Sequence, residues 1–311
     1  MVAAASALLA GCTRSGAGNG DGGAQDLQEQ GPVAFTGPVT IGGADFTEMQ
    51  IMASLYGQLL TKAGFTVQHQ KSETREAYAA ELEAGPVDLV PEHAATFTEF
   101  LNREVNGAQA TLVASSDIEV TVEKMQELAA ERGLAVLAPA KATNQNGFAV
   151  TSAFSKKEKV DSLSDLSERG KPVVLAATED CAQRPFCQLG LERTYDLKFS
   201  SSLPLGFGTS AAKQAVLAGQ ADLVLVGTTD GTLGPLGLKV LADDQELQLA
   251  DNLIPVLTRK LAADPKVAAA LDPLAEKLTT ADLARLNQQV DGESRSPDAV
   301  ATDYLKAEKL L

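Results

Sequence analysis

Residues 40–67 read TIGGADFTEMQIMASLYGQLLTKAGFTV and predict a strand, a turn, a helix and a second strand. The short apolar strand ends at Ile41, where the pair Gly42–Gly43 permits a sharp backbone turn. Thr47, followed three residues later by Gln50, is typical of a capping box, in which each side chain bonds an unpaired backbone N–H. We therefore expect a helix to begin at Thr47.

The apolar residues of this helix recur at intervals that place them on one face. They are Ile51, Met52, Leu55, Tyr56, Leu59, Leu60 and Ala63. Gly64 suits the left-handed position after the helix, and Phe65–Val67 returns as a strand. The simplest interpretation is one βαβ unit of an α/β domain. A sharper hypothesis is that the loop 43–48, between the strand end and the helix start, lines a ligand cleft.

The sequence Gly-Ala-Asp-Phe-Thr-Glu at residues 43–48 precedes Leu-Tyr-Gly-Gln-Leu-Leu at residues 55–60. With a strand before it, this arrangement resembles the opening of the osmoprotectant-binding proteins of ABC importers, which bind glycine betaine, choline and carnitine. Four later segments also resemble that family, so that the similarity runs from about residue 38 to the end. These segments are Asp88–Glu92, Asn144–Thr151, Thr228–Gly231 and Leu283–Leu310.

The resemblance implies a two-lobed α/β fold of the type II periplasmic-binding-protein class. Each lobe would be a mixed sheet flanked by helices, and two hinge crossings would join the lobes. We expect residues 38–140 and 233–311 to form the first lobe and residues 141–232 the second, with the polar run 139–146 as the first crossing. This division places the predicted strand Leu238–Leu241 in the first lobe. Three amphipathic helices are expected to close that lobe, at residues 265–278, 281–290 and 297–310.

The acidic composition narrows the range of partners. The chain has 26 basic and 41 acidic residues and a net charge of −15, which argues against binding nucleic acid or an anionic membrane surface. A length of 311 residues is enough for two compact lobes. With two histidines and no Cys/His cluster at metal-ligand spacing, we expect no metal site and no cofactor.

The N-terminus has the pattern of a lipoprotein. Residues 2–10 are small and apolar, and Leu9-Ala10-Gly11-Cys12 has the form of a lipobox, where cleavage leaves Cys12 as the lipid-modified first residue. The apolar run is too short to span a bilayer, and a frayed apolar N-terminus is the alternative. No Lys or Arg precedes the run, which predicts a translation start a few residues upstream. We expect a signal peptide over residues 1–12 and a flexible Gly-rich tether over residues 13–37.

Two segments repeat one pattern of helix, glycine, aspartate, strand and polar loop. They are Leu82–Val90 and Val216–Val224. The similarity indicates either an internal repeat or only the usual form of a helix-to-strand connection. Pro91 is expected to end the first of these strands. As a repeat, the pattern would place Glu92–His93 and Thr228–Asp230 on opposite walls of one cleft.

The cysteines of the second lobe indicate a small closed loop. Cys181 and Cys187 are separated by Ala-Gln-Arg-Pro-Phe, and in a secreted context we expect a disulfide between them. Free reactive thiols or a redox pair are the alternatives, although the spacing is not C-x-x-C and no histidine lies nearby. The disulfide would hold Arg184, Pro185 and Phe186 at the mouth of the cleft.

In the family that the chain resembles, aromatic faces hold the ligand's quaternary ammonium, because a ring quadrupole attracts a cation that cannot donate a hydrogen bond. His93 and Gly227 stand where such a cage asks for aromatic residues, and the chain has no Trp. We therefore expect a depleted cage with mostly polar contacts. The expected ligand-binding residues are Asp45, Phe46, Thr47, Glu92, His93, Thr96, Asn144, Asn146, Arg184, Thr228, Thr229 and Asp230.

Several of these residues have a structural alternative. Asp230 would brace the hinge, and His93 would simply be solvated. Asn144 and Asn146 would satisfy turn backbone. Glu48, in the first helical turn, is expected to serve the helix dipole rather than the ligand.

The resulting hypothesis is a lipid-anchored, monomeric, extracytoplasmic solute-binding protein. It would close two lobes over a small organic solute and present it to an ABC permease with its ATPase subunits. The expected ligand is a quaternary ammonium osmoprotectant or, given the depleted cage, a flat aromatic molecule, a thione or a polyphenol. A surface sensor or adhesin is a more distant alternative.

An enzyme is the other distant alternative. No G-x-S-x-G, H-E-x-x-H, P-loop or G-x-G-x-x-G motif lies in a usable context. The pair Glu92–His93 with Thr96 lacks a third orienting group, so we expect no catalytic activity.

Overall fold

The computed structural model describes residues 34–72 and 74–311. The expected signal peptide, Cys12 and residues 13–33 of the expected tether lie outside the described residues. The strands are β1 (Val39–Ile41), β2 (Val67–His69), β3 (Leu89–His93), β4 (Leu134–Val136), β5 (Asn146–Thr151), β6 (Val173–Ala177), β7 (Phe199–Pro204), β8 (Leu223–Gly227), β9 (Leu238–Val240) and β10 (Leu253–Thr258).

The helices follow the predicted starts and stops in most cases. They are α1 (Thr47–Lys62), α2 (Arg75–Ala84), α3 (Ala94–Asn106), α4 (Ile118–Glu131), α5 (Ser152–Glu158), α6 (Leu163–Glu168), α7 (Gln188–Tyr195), α8 (Ser210–Leu217), α9 (Arg259–Ala262), α10 (Pro265–Lys277), α11 (Thr280–Asp291) and α12 (Pro297–Ala307), with a 3₁₀ helix at Glu179–Gln183. None of the helices in the described part of the chain has the length and apolarity needed to cross a bilayer.

The strands form two five-stranded sheets with the same arrangement. The first sheet has the order β2-β1-β3-β10-β4, and the second has the order β7-β6-β8-β5-β9. In each, the first three strands are parallel. The fourth strand, β10 or β5, is antiparallel to both of its neighbours, so the edge strand β4 or β9 runs in the same direction as the first three. These two mixed sheets with flanking helices confirm the predicted two-lobed α/β fold. We refer to each sheet with its helices as the first and second lobe.

Each sheet has an apolar cluster on both faces. Leu89 of β3 packs in the cluster that contains α1 and the C-terminal helices, whereas its neighbour Val90 packs with α2, α3 and α4. Val224 and Leu225 of β8 separate in the same way between the two clusters of the second lobe. Because successive side chains of a strand point to opposite faces, β3 and β8 are the buried centres of their sheets.

The central strand of the first lobe runs through Pro91, so the prediction that Pro91 ends this strand was wrong. Pro91 pairs with Pro255 of the antiparallel strand β10. Neither residue has an N–H, so the two prolines meet at a position of the ladder where no hydrogen bond is exchanged. The strand therefore continues to His93, and α3 begins directly after it.

A matched pair of aspartates supports the internal repeat. Asp88, just before β3, accepts a hydrogen bond from the backbone N–H of Thr40 in β1 at 2.9 Å. Asp222, just before β8, accepts one from the N–H of Val174 in β6 at 2.8 Å. Each aspartate thus satisfies the first free amide of the neighbouring parallel strand, and the two halves share this detail as well as their sheet order.

The chain passes between the lobes twice, at residues 137–145 and 241–252. The first crossing agrees with the predicted one. The second lies later than expected, because β9 pairs with β5 in the second sheet and not in the first. An apolar strand pattern does not reveal which sheet the strand will join. The two crossings lie side by side, since Thr143 forms an isolated bridge with Asn252.

Helix α1 begins at Thr47 as predicted, but the expected capping box does not form. The N-cap residue is Phe46, and Thr47 donates its hydroxyl to Asp291 of α11 at 2.5 Å. Gln50 donates instead to the carboxylate of Asp45. The Thr47 hydroxyl thus bonds the carboxylate of Asp291 in α11 instead of the nearby backbone N–H of Gln50. The predicted helix end holds, because Gly64 adopts a left-handed φ of 97°.

Candidate ligand cleft

Two adjoining cavities lie between the lobes and share Phe46, Asn144 and Phe207. The first, which we call the aromatic chamber, has a volume of about 500 Å³, and the second, the polar chamber, has a volume of about 770 Å³. The walls of the aromatic chamber include Phe46, Arg75, His93, Phe186, Phe207 and Asp251. The walls of the polar chamber include Glu48, Lys213, Thr229, Asp230, Asn287 and Asp291.

Three phenylalanine rings from both lobes reach the aromatic chamber. Phe46 stands at the start of α1 in the first lobe and is 45% exposed. Phe186, in the disulfide loop, and Phe207, in the loop between β7 and α8, come from the second lobe, and Phe207 is 47% exposed. Exposed rings that gather on one concave surface are typical of a ligand-binding site. The chamber is thus richer in aromatic surface than the sequence led us to expect.

The side chains of Asn144 and Phe207 both lie against Gly227. A Cβ atom at residue 227 would lie 2.9 Å from Oδ1 of Asn144, which is too close, and 3.6 Å from the Phe207 ring, which is an ordinary contact distance. Gly227 therefore leaves room for the Asn144 amide, and the Phe207 ring packs beside it. The flanking residues Gly206 and Gly208 both adopt positive φ, which turns the backbone sharply around Phe207. A phenylalanine between two glycines in a loop is the signal that our sequence analysis passed over.

The disulfide loop holds Phe186 against the hinge. Cys181 and Cys187 are bonded, with an S–S distance of 2.00 Å and both residues buried. The backbone carbonyl of Phe186 accepts hydrogen bonds from Asn146 at 3.1 Å and from Gln248 at 3.0 Å. These donors belong to the start of β5 and to the second crossing, so the loop is tied to both connections between the lobes.

Glu48 forms the centre of a buried network between the lobes. Its side chain is 3% exposed and accepts four hydrogen bonds from four separate elements. The donors are His93 at 3.0 Å, Asn144 at 2.9 Å, Thr229 at 2.6 Å and Asn287 at 3.2 Å. Since Thr229 follows β8 in the second lobe, this carboxylate joins the two lobes directly. The expectation that Glu48 mainly serves the helix dipole missed this role.

Glu48 and His93 form a charged pair. Burial opposes the ionised form of each group, but the hydrogen bond and the opposite charge of the partner outweigh it. The pKa of Glu48 is therefore lowered and the pKa of His93 is raised. The contact thus favours a negative carboxylate opposite a positively charged imidazole at the base of the cleft.

Glu92 acts behind the chamber wall. It is fully buried, and Arg75 donates to both of its oxygens, at 2.9 and 3.0 Å. Tyr78 donates its hydroxyl to the same carboxylate. Glu92 therefore orients Arg75, and Arg75 is the residue that reaches the aromatic chamber. A bidentate pair of this kind fixes the guanidinium in one plane.

Asp251, from the second crossing, lies on the wall of the aromatic chamber and is 8% exposed. One oxygen accepts hydrogen bonds from the N–H of Thr96 at 2.9 Å and from its hydroxyl at 3.3 Å. Thr96 is in the first turn of α3, so Asp251 caps this helix from a distant part of the chain. Burial raises the pKa of Asp251, although His93 and the Thr96 N–H act against it.

The polar chamber contains a second ion pair. Lys213 of α8 contacts Asp230 at 2.7 Å and also donates to Thr232 at 2.8 Å. Asp230 accepts from the N–H and the hydroxyl of Thr232 as well. The carboxylate thus holds the loop that follows β8 within the second lobe, and it also lines the polar chamber.

The structure brings eight of the twelve expected residues to the chambers. These eight are Phe46, Thr47, His93, Thr96, Asn144, Asn146, Thr229 and Asp230. Asp45 lies outside and pairs with Lys71 at 2.7 Å. Thr228 accepts from the N–H of Gln145 at the hinge. Arg184 is exposed on the disulfide loop, and Glu92 lies behind the wall.

The chain matches the family model described as "Substrate binding domain of ABC-type glycine betaine transport system" over residues 37–307. It is 27% identical over 281 residues to the glycine-betaine-binding protein of Pseudomonas aeruginosa, covering 87% of this chain and 88% of that protein. It is 28% identical over 286 residues to the glycine betaine-binding protein YehZ of Escherichia coli K12, covering 88% and 92%.

Solved structures show the same fold. Apo YehZ from Escherichia coli superposes with a TM-score of 0.72 at 26% identity, covering 89% of this chain and 100% of that chain. A structure described as a glycine betaine/carnitine/choline ABC transporter gives a TM-score of 0.75 at 21% identity, covering 89% and 99%. With residues 37–307 matched to the family model, the chain belongs to the extracytoplasmic substrate-binding proteins of ABC-type glycine betaine transport systems.

Proposed function

We propose that the aromatic chamber binds a small solute through its quaternary ammonium group and that the protein delivers this solute to an ABC permease and its ATPase subunits. The observation that supports this ligand is the meeting of Phe46, Phe186 and Phe207 on one chamber. A quaternary ammonium has no N–H to donate, so aromatic faces are the groups that recognise it. The named relatives bind glycine betaine, which carries such a group.

Solute binding is coupled to closure because the three phenylalanine rings come from different lobes. Phe46 belongs to the first lobe, whereas Phe186 and Phe207 belong to the second. A cation between them is contacted by both lobes only when the lobes are close together. The solute therefore stabilises the closed arrangement, and the crossings 137–145 and 241–252 serve as the hinge. The protein changes no bond of the solute.

The cellular arrangement follows the N-terminal sequence. We propose that lipid on Cys12 anchors a monomeric protein to the membrane and that residues 13–37 act as a tether. This arrangement keeps the two lobes near the permease on the outer side of the membrane.

The test is isothermal titration calorimetry of the purified chain with choline, with glycine betaine and with the neutral carbon isostere of choline. We expect at least one of the two quaternary ammonium solutes to bind and the neutral isostere to bind at least about tenfold more weakly. We expect Phe207→Ala to weaken binding about tenfold and Phe207→Tyr to retain it. Phe154→Ala is the matched control, because its ring lies in the second lobe beside Arg169 and not on the chambers.

Equal affinity for choline and its neutral isostere would show that the rings do not recognise charge. Binding of a thione or a polyphenol, with no binding of quaternary ammonium solutes, would contradict the proposed ligand and leave the transport role in place. An unchanged affinity in Phe207→Ala would remove the aromatic chamber as the site.

A further inference from the structure

The charged groups on and behind the wall of the aromatic chamber do not balance. Arg75 is paired with Glu92 by two hydrogen bonds. His93 is paired with Glu48 at 3.0 Å. The carboxylate that remains is Asp251, which contacts no cationic side chain within 4 Å in the described part of the chain. The aromatic chamber therefore has one negative charge in excess when all five groups are ionised.

The two oxygens of Asp251 have different surroundings. Oδ1 takes both hydrogen bonds from Thr96. Oδ2 accepts no hydrogen bond from residues 34–72 or 74–311, and Asp251 lines the chamber wall. This oxygen can therefore accept a hydrogen bond from a ligand in the chamber or face its positive charge.

The walls around Asp251 strengthen its effect on a ligand. Phe46, Phe186 and Phe207 cover part of the chamber wall with apolar surface, and charge interactions are stronger beside such surface than in bulk water. Arg75 offers little compensation to an anion, since both oxygens of Glu92 already neutralise it. A carboxylate on the ligand would thus meet an excess negative charge at short range.

We propose that Asp251 makes the aromatic chamber selective for solutes with a net positive charge and a hydroxyl donor, the choline class, over zwitterions of the betaine class. This inference depends on the proposed function, because it names the charge class within the quaternary ammonium solutes. Both classes share the trimethylammonium group that the rings recognise. They differ at the other end, where choline has a hydroxyl and glycine betaine has a carboxylate, so the excess charge decides between them.

The preference for choline over glycine betaine should decrease as the pH falls. Burial raises the pKa of Asp251 above the ordinary value of an aspartate. Of the charged groups that act on it, His93 and Arg75 oppose this shift and Glu92 adds to it. Acidification protonates Asp251 and removes the excess negative charge. Choline affinity should therefore fall as the pH decreases through that pKa, while glycine betaine affinity should fall less or rise, since glycine betaine remains zwitterionic.

The experiment measures choline and glycine betaine affinities of the unaltered protein and of Asp251→Asn by calorimetry, at neutral pH and in an acid series. Asn keeps an oxygen for the Thr96 N–H but has no charge. We expect choline to bind about tenfold more weakly in Asp251→Asn, with a change of less than about threefold for glycine betaine. The matched control is Asp117→Asn, because Asp117 also caps a helix, accepting from the Glu119 N–H at 2.8 Å, but lies on neither chamber.

A choline-to-betaine ratio that stays the same in Asp251→Asn would overturn the inference while leaving the proposed function intact. A choline-to-betaine affinity ratio that does not change with pH in the unaltered protein would also overturn the inference. This second measurement needs no variant, so it remains decisive if Asp251→Asn fails to fold. Failure of the unaltered protein to bind either solute would instead overturn the proposed function, and this inference with it.

Discussion

The two lobes share one sheet arrangement but use it differently at the cleft. In the first lobe, β1 leads into the 16-residue helix α1, whose first turn buries the charge of Glu48. In the second lobe, the corresponding strand β6 leads into a short 3₁₀ helix and a loop closed by Cys181 and Cys187. At the aromatic chamber, the first lobe thus supplies the charged Arg75 and His93 from regular elements, together with one ring, Phe46. The second lobe supplies the rings of Phe186 and Phe207 from loops.

This difference follows from what each kind of side chain requires. A buried charge needs several fixed donors, and helix starts and strand ends hold them at short range. A ring that contacts a ligand needs space and a firm support, which the disulfide gives to Phe186 and a pair of glycines gives to Phe207. The two sheets have the same strand order, so the cleft walls of the two lobes differ because of the loops and helices that connect the strands. The following experiments test the comparison in order of expected effect.

Removing the charge that joins the lobes should have the largest effect. Glu48→Ala leaves the protonated His93, Thr229 and Asn144 without their acceptor, and we expect a loss of about 3–5 kcal/mol in the free energy of unfolding. Urea denaturation followed by circular dichroism measures this loss. Glu48→Gln retains an acceptor oxygen, so its free energy of unfolding should fall by less than that of Glu48→Ala. A loss below about 1 kcal/mol in Glu48→Ala would show that the network contributes little to joining the lobes.

Opening the disulfide of the second lobe should have an intermediate effect. The double variant Cys181→Ser, Cys187→Ser frees a loop of sequence separation 6, and chain entropy predicts a loss of about 2 kcal/mol in unfolding free energy. Because the loop carries Phe186, we also expect weaker solute binding, measured by calorimetry. A thiol reductant should reproduce both effects in the unaltered protein and add nothing to the variant. Unchanged binding after reduction would show that Phe186 needs no covalent support.

Substitution of Asp88 or Asp222 should have the smallest effect on the unfolding free energy, and the effect should be larger at Asp88 than at Asp222. Asp88 is 9% exposed and burial raises its pKa, whereas Asp222 is exposed. We expect Asp88→Ala to lower the unfolding free energy by about 2 kcal/mol and Asp222→Ala by less than about 1 kcal/mol, because only the first change leaves a buried amide unpaired. Chemical denaturation of both variants measures the two losses of unfolding free energy, and the corresponding Asn variants serve as controls. Equal losses would mean that burial does not distinguish the two halves.

Most of the secondary structure was predictable because its signals are local. Thr74 and Thr209 cap α2 and α8 with their own side chains. Pro265 and Pro297 open α10 and α12 in the same local way. Helix α3 and strand β7 are among the elements that we did not predict, and they lack a local signal of this kind. Helix α3 takes its caps from Ala250, Asp251 and Asn252 of the second crossing.

The amino-acid sequence alone established the α/β class, the order of most elements and the loop that opens α1, since each depends on neighbours along the chain. The eight expected residues that line the chambers came from the family resemblance. The sheet that β9 joins, the network of Glu48, the support of Arg75 by Glu92 and the excess charge of Asp251 emerged only in three dimensions. The physical reason is distance along the chain. Thr229 and Asn287 lie 181 and 239 residues from the carboxylate that they contact, and no local pattern encodes a hydrogen bond of that span.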